Sequence, residues 1–290
     1  MKKHILLVAT FALLFSLSAN AQLFWKISGN GLEKTSYLFG THHLINKDQI
    51  KNFDQILTIS GQVDAVVGEI DMSDMQTQAV KMMSDVMMKD TTMKDLLSAE
   101  DYAFVDSVFQ ITMNTGLDKL GTMKPAMLSA FYVIASYMKE NGTNAPPTGV
   151  DELFQKKAKE QNKKILPLET IDEQMFMLFG SMSLKRQAEV LVKDLKEIQK
   201  SKEDMKNLNS YYLTGDLVGI ESLSNMSCNW TPEEVKVLID NRNLNWAKKL
   251  PTMLKEQSCF IAVGAMHLVG ETGLIKQLKA AGYKVEPVVL

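Results

Sequence analysis

Histidine and cysteine are scarce in this chain: four histidines and two cysteines among 290 residues. Two cysteines, Cys228 and Cys259, leave room for one disulfide at most. Cys228 is not flanked by any recognisable catalytic-cysteine context. Charge of either sign is not in excess: the formal net charge is −2, and removing Lys2 and Lys3 with a leader takes it to −4. That balance gives no electrostatic case for nucleic acid or an anionic membrane surface. Beyond the first residues no apolar run is long enough to cross a bilayer. The longest, Ala126 to Met138, is interrupted by Ser129 and Ser136 and reads as a buried helix. Periodic repeats and low-complexity tracts are missing. So are a G-x-S-x-G elbow, a Walker loop, an H-E-x-x-H helix and a dinucleotide fingerprint, which removes several common machineries.

The amino terminus has the order of a secretory signal. Lys2 and Lys3 precede an apolar stretch from Ile5 to Ser18, and Ala19-Asn20-Ala21 forms a small-residue cleavage site. Residues 1–21 are therefore expected to be removed, leaving a periplasmic or secreted domain from 22 to 290 with no membrane span. Export permits a Cys228–Cys259 disulfide, which would tie a loop to the strand before His267.

Hydrophobic residues at 46% suffice for a substantial core. Leu23 to Ser28 and Ser36 to Gly40 are β-prone runs around Gly29-Asn30-Gly31, the pattern of a hairpin. Asn46-x-x-Gln49 resembles a capping box and predicts a helix bearing Ile50, Phe53, Ile56 and Leu57 on one face. Strands are expected at Val63 to Val67, Lys164 to Leu168, Cys259 to Val263 and Tyr283 to Val288, with helices at Val150 to Gln161 and Glu271 to Ala281. Thr231-Pro232-Glu233-Glu234 starts a further helix that carries Arg242, Asn243 and Trp246. The alternation predicts an α/β fold: a central mixed sheet with a large helical insertion or cap at about residues 74–250. The methionines crowded between Met72 and Met93 are read as packing groups rather than soft-metal ligands.

Two segments are near copies. Tyr37-Leu38-Phe39-Gly40-Thr41-His42-His43-Leu44 and Ile261-Ala262-Val263-Gly264-Ala265-Met266-His267-Leu268 each run from an apolar strand through Gly-x-x-His to Leu. All histidines after the leader, His42, His43 and His267, lie in these units. Ligands gather at the carboxyl ends of strands in α/β sheets, so adjacent strands would bring His43 and His267 to one cleft. Glu69 and Glu169 also end predicted strands. Two imidazoles and a carboxylate could hold a metal ion with an open position for water; the same pair could equally act as acid and base without metal. His42, matched by Met266 in the second unit, is the accessory histidine. Glu169 and Asn243 are further accessory candidates, and Arg242 could hold a carboxylate or steady an oxyanion.

These residues resemble the TraB/GumN family, which includes TIKI-type metalloproteases. The match runs through Leu38 to Leu44, Glu69, Lys124-Pro125, Leu168-Glu169-Thr170, Arg242-Asn243 with Trp246, Ala262 to Gly270, and Gly273-Leu274 through Val285. The resemblance implies a fold shared with erythromycin esterase-like and ChaN-like proteins, with both G-x-x-H motifs at one cleft. It implies His43, His267 and Glu69 as catalytic or metal-binding residues, with Arg242 in the cleft. The metal would be divalent, Mn or Co, with Zn a further option. The leading expectation is an exported metal-dependent peptidase acting on a peptide, or on a small amide or ester. The alternatives are a metal-free esterase-type hydrolase and a non-catalytic envelope protein that binds a peptide signal, haem or metal.

Overall fold

The computed structural model of the chain describes residues 23–226 and 229–290. The expected leader and Cys228 lie outside the described residues, and with them the expected cleavage site and disulfide. Cys259 is a buried free cysteine among the described residues, and burial pushes its thiol pKa up to about 12.

The hairpin forms as β1 (Phe24–Ser28) and β2 (Ser36–Thr41). The turn between them uses left-handed backbone at Gly29, Asn30 and Gly31, where glycine and asparagine carry the smallest steric cost. The Asn46/Gln49 capping box forms as read, but it closes only a 3-10 turn, Lys47–Gln49. The helix proper, α1 (Phe53–Ser60), starts after Asn52, whose positive φ of 58° separates it from that turn.

Next come β3 (Ala65–Gly68), then α2 (Met75–Asp85), α3 (Met93–Leu96), α4 (Ala99–Met113), α5 (Leu117–Leu120) and α6 (Pro125–Asn141). The chain returns to the sheet with α7 (Val150–Glu160) and β4 (Lys164–Pro167). It leaves again through α8 (Ile171–Phe179), α9 (Leu184–Lys196), α10 (Ile198–Thr214) and α11 (Leu217–Met226). The last segment holds α12 (Pro232–Val235), α13 (Asn241–Glu256), β5 (Cys259–Gly264), α14 (Leu274–Ala280) and β6 (Lys284–Pro287). The helix expected from Glu271 begins only at Leu274, after Gly273.

The architecture is α/β, with a mixed six-stranded sheet in the order β4-β3-β5-β2-β1-β6. The four strands β4, β3, β5 and β2 are parallel, and β1 runs antiparallel to both β2 and β6. Side chains alternate across the sheet as a period of two requires. Leu38, Val67, Ile261 and Val263 point to one face, with Trp246, Leu250 and Leu274. Phe39, Val66, Phe260 and Ala262 point to the other, with Phe53 of α1 and Phe154 of α7. Phe154 and Phe260 anchor that second face with ring centroids 4.6 Å apart. The intervening helices have their own core, built on Met88, Met93, Phe109, Leu128 and Leu191. Met88 and Met93 are thus packing groups. No helix among the described residues is long and apolar enough to cross a membrane.

The two G-x-x-H strands are direct neighbours. β2 and β5 pair in parallel, with Gly40 opposite Val263 and Thr41 opposite Gly264. The motifs pack closely at Gly40: a Cβ there would lie 2.7 Å from Leu268 Cδ1 and 3.2 Å from Ala265 Cα.

Candidate functional site

Register assembles the centre of the site. The parallel β3–β4 ladder continues past both strand ends: Leu168 N–H donates to Gly68 O and Glu169 N–H to Glu69 O, both at 2.9 Å. Glu69 and Glu169 therefore stand side by side at the carboxyl edge of the sheet. β5, on the other side of β3, ends at Gly264, whose N–H donates to Glu69 Oε1 at 2.9 Å. A 3-10 turn, Ala265–Leu268, then delivers His267.

The cationic partner comes from α13. Its buried residues Arg242, Asn243, Trp246, Leu250 and Leu254 form a helical stripe against the sheet. Before it lies a π turn, Lys236–Asp240, in which Asn241 N–H bonds back to Lys236 O. Arg242 Nη2 donates to Glu69 Oε2 and to Glu169 Oε1, each at 2.7 Å. Its Nε donates to Glu169 Oε2 at 3.1 Å, so the guanidinium grips Glu169 with a two-pronged fork. Nη1 donates to Leu238 O and to His267 Nε2, each at 3.1 Å. Trp246 lies under the guanidinium at 4.7 Å and 4.5 Å from the His267 ring, and its Nε1 donates to Glu169 Oε2 at 3.3 Å.

These contacts fix the His267 tautomer. A guanidinium has no acceptor, so Nε2 must offer its lone pair to Arg242 and the proton sits on Nδ1. Nδ1 then donates to Asn243 Oδ1 at 2.7 Å. Burial pushes the His267 pKa down to about 4, so the ring is neutral at neutral pH. Burial alone would raise the Glu69 pKa. The positive charges of His267, when protonated, and of Arg242, with the Gly264 N–H, reverse this and hold it below the ordinary carboxylate range. Since His267 is neutral near pH 7, Arg242 and Gly264 supply the effect there.

Of the expected site residues, Glu69, Glu169, Arg242, Asn243 and His267 form one hydrogen-bonded cluster with Trp246. His43 is not bonded into it. It stands beside the cluster at the same sheet edge, close enough for its charge to act on Glu69. Its side chain is 68% exposed, and Nδ1 faces Asp151 Oδ1 at 3.6 Å, beyond hydrogen-bonding distance. That Oδ1 is buried and has no hydrogen-bond partner among the described residues. The carboxylates of Asp151 and Glu69 raise the His43 pKa. His42 faces elsewhere: its ring meets Tyr212 edge-on at 5.3 Å, and Nδ1 accepts from Leu44 N–H. Burial and the neighbouring His43 charge lower its pKa to about 4. The Tyr212 hydroxyl donates to Gly40 O at 2.9 Å, tying the helical segment to the first motif.

Gln174 belongs to the site and is not among the sequence candidates. From α8 its Nε2 donates to Glu69 Oε2 and to Glu169 Oε1, both at 3.1 Å. The Thr170/Glu173 capping box sets the start of α8 and so the height of Gln174 beside Glu169. That was the available signal.

The donor types present, carboxylate and imidazole, suit a divalent ion of the Mn, Co or Zn kind. Their arrangement does not fit one. The single lone pair of His267 is taken by Arg242, and a cation placed there would meet the guanidinium. Glu69 already receives Gly264 on one oxygen and Arg242 and Gln174 on the other. Among the described residues no group of three or more His, Cys, Asp or Glu side chains could hold a metal ion.

Beside His43 opens a groove of about 630 Å³, lined by Met72, Met75, Ile134, Pro146 and Pro147 and by the outward face of α7. Such a volume is in the range of ligand clefts.

By fold and site, the chain is an α/β domain with a buried, charge-paired polar centre at the carboxyl edge of parallel strands, where this class of sheet binds its ligands. The chain belongs to the TraB/PrgY/gumN family, whose family model matches residues 23–287. No curated protein matches the chain.

Proposed function

We propose that the chain is an exported hydrolase that cleaves an amide bond in a peptide, with His43 and Glu69 acting on the attacking water. The observation that carries this reading is the juxtaposition of an exposed imidazole, an ionised carboxylate braced by Arg242, and an open groove at one sheet edge. His43 takes a proton from water as hydroxide adds to the carbonyl carbon. It then returns that proton to the nitrogen as the carbon–nitrogen bond breaks. Glu69 remains ionised and stabilises the imidazolium formed meanwhile. Glu169, Gln174 and Arg242 hold Glu69 in place, and Asn243 holds His267.

A second reading retains the divalent ion that the resemblance implies. Glu69, Glu169 and His267 are donors of the chemical type that such an ion takes. Binding through His267 would require Arg242 to leave Nε2.

The test is peptide cleavage by the mature chain, after chelation and after return of Mn or Co. Chelator-resistant cleavage abolished by His43→Ala supports the first reading. Cleavage that appears only with metal replaces it with the second. No cleavage of diverse peptides under either condition removes both.

A further inference from the structure

The groove beside His43 is electrically polarised along its length. Its α7 wall presents Asp151 and Glu152 in the first turn and Lys156 and Lys159 in the last two. Asp151 faces His43, so the acidic end is the end at the polar centre. Lys156 and Lys159 are exposed and have no ion-pair partner among the described residues. Eight residues at about 1.5 Å rise separate Asp151 from Lys159 by roughly 12 Å. The remaining lining is mainly apolar, with Met72, Met75 and Pro147, and includes the polar Gln155. At about 3.3–3.6 Å per extended residue, that length is spanned by three or four residues.

We infer that this groove binds short peptides with both ends free, with the terminal ammonium at Asp151 and Glu152 and the terminal carboxylate at Lys156 and Lys159. The inference rests on the peptide-hydrolase reading and narrows it to tri- and tetrapeptides with apolar middle side chains. The first peptide bond then lies against His43. Methionine walls accept varied apolar side chains, so the charged ends and the length carry the selectivity.

The test separates binding from turnover. The mature chain is titrated by calorimetry with a leucine-centred tetrapeptide whose first peptide bond is replaced by an uncleavable ketomethylene link. Amino-acetylated, carboxy-amidated and longer versions are compared. Acetylation and amidation should each weaken binding about twofold to fivefold, the scale of a partly exposed charge pair. In K156E/K159E amidation should no longer weaken binding, while the acetylation effect should persist. Equal binding of free and amidated peptides by the unmodified chain overturns the inference, as does equal binding of much longer peptides. Cleavage of the parent peptides without end preference would defeat the groove assignment and spare the hydrolase. Selective binding without any cleavage would do the reverse.

Discussion

Arg242 is the guanidinium that pairs both Glu69 and Glu169, and removing it is the sharpest perturbation the site allows. Arg242→Met keeps an unbranched, apolar stem over Trp246 but withdraws the partner of Glu69 and Glu169, whose side chains are 18% and 5% exposed. Breaking a buried ion pair by removing one partner costs about 3–5 kcal/mol, mostly from the charge left behind. At roughly 2–4 °C per kcal/mol for a chain of this size, melting should fall by about 6–20 °C. The loss should also depend on pH. In the native protein Glu69 has a lowered pKa, so its contribution is present above the unfolded carboxylate pKa and disappears as pH falls through the folded one. In the variant that lowering loses its guanidinium, so the gap between the two proteins should narrow toward acid. Adding Glu169→Gln to Arg242→Met should recover part of the loss, because one unpaired charge is gone. Calorimetric melting at pH 7.5 and pH 4.5 reads all three effects. An Arg242→Met protein melting within about 2 °C of the parent at pH 7.5 would refute the charge-pairing argument.

His267 carries a pH signature of the same sign in a higher pH window, so it can be read separately. Its folded pKa of about 4 lies below the ordinary imidazole value of 6.5. The unfolded chain therefore binds the proton first, and stability should fall by about 2 kcal/mol between pH 6.5 and pH 5; a His267→Asn variant should show a shallower acid slope in urea midpoints. Gly40→Val should destabilise by about 1–3 kcal/mol through the clash with Leu268 and Ala265, visible as a lower urea midpoint without altered helix content. Cys259 should resist thiol reagents at pH 8 in the folded protein and react on unfolding, since burial holds its pKa near 12.

The strands were legible because their apolar runs have the period and length of half-buried and fully buried β segments. Glu69, Glu169 and His267 could be placed at one edge because each follows such a run. What composition could not supply was partnership. Nothing in the run around Arg242 states that its guanidinium will fork onto Glu169, 73 positions away, or cap His267 Nε2. Gln174 went unseen because a glutamine on an amphipathic helix has no pattern of its own. The capping box at Asn46 was real, yet the left-handed Asn52 delayed the helix, an effect of backbone conformation that local motifs do not encode.

The two G-x-x-H units show how little of a histidine's chemistry resides in its motif. Both follow a parallel strand, and the strands are neighbours in register. Yet His267 is buried against Trp246, its Nδ1–H committed to Asn243 and its lone pair to Arg242. His43 stands exposed with a carboxylate before it and a groove alongside. Their pKa values are driven apart, downward for His267 and upward for His43. Environments that separate two titratable groups in this way divide their roles. The buried ring suits the fixed framework that holds Arg242 between the carboxylates, and the exposed ring suits proton transfer to and from a bound substrate. The sequence similarity of the units thus reflects the shared need to turn sharply off a strand and pack motif against motif through Gly40. The difference in chemistry comes from α13 on one side and α7 on the other, the helices that supply Arg242 and Asp151.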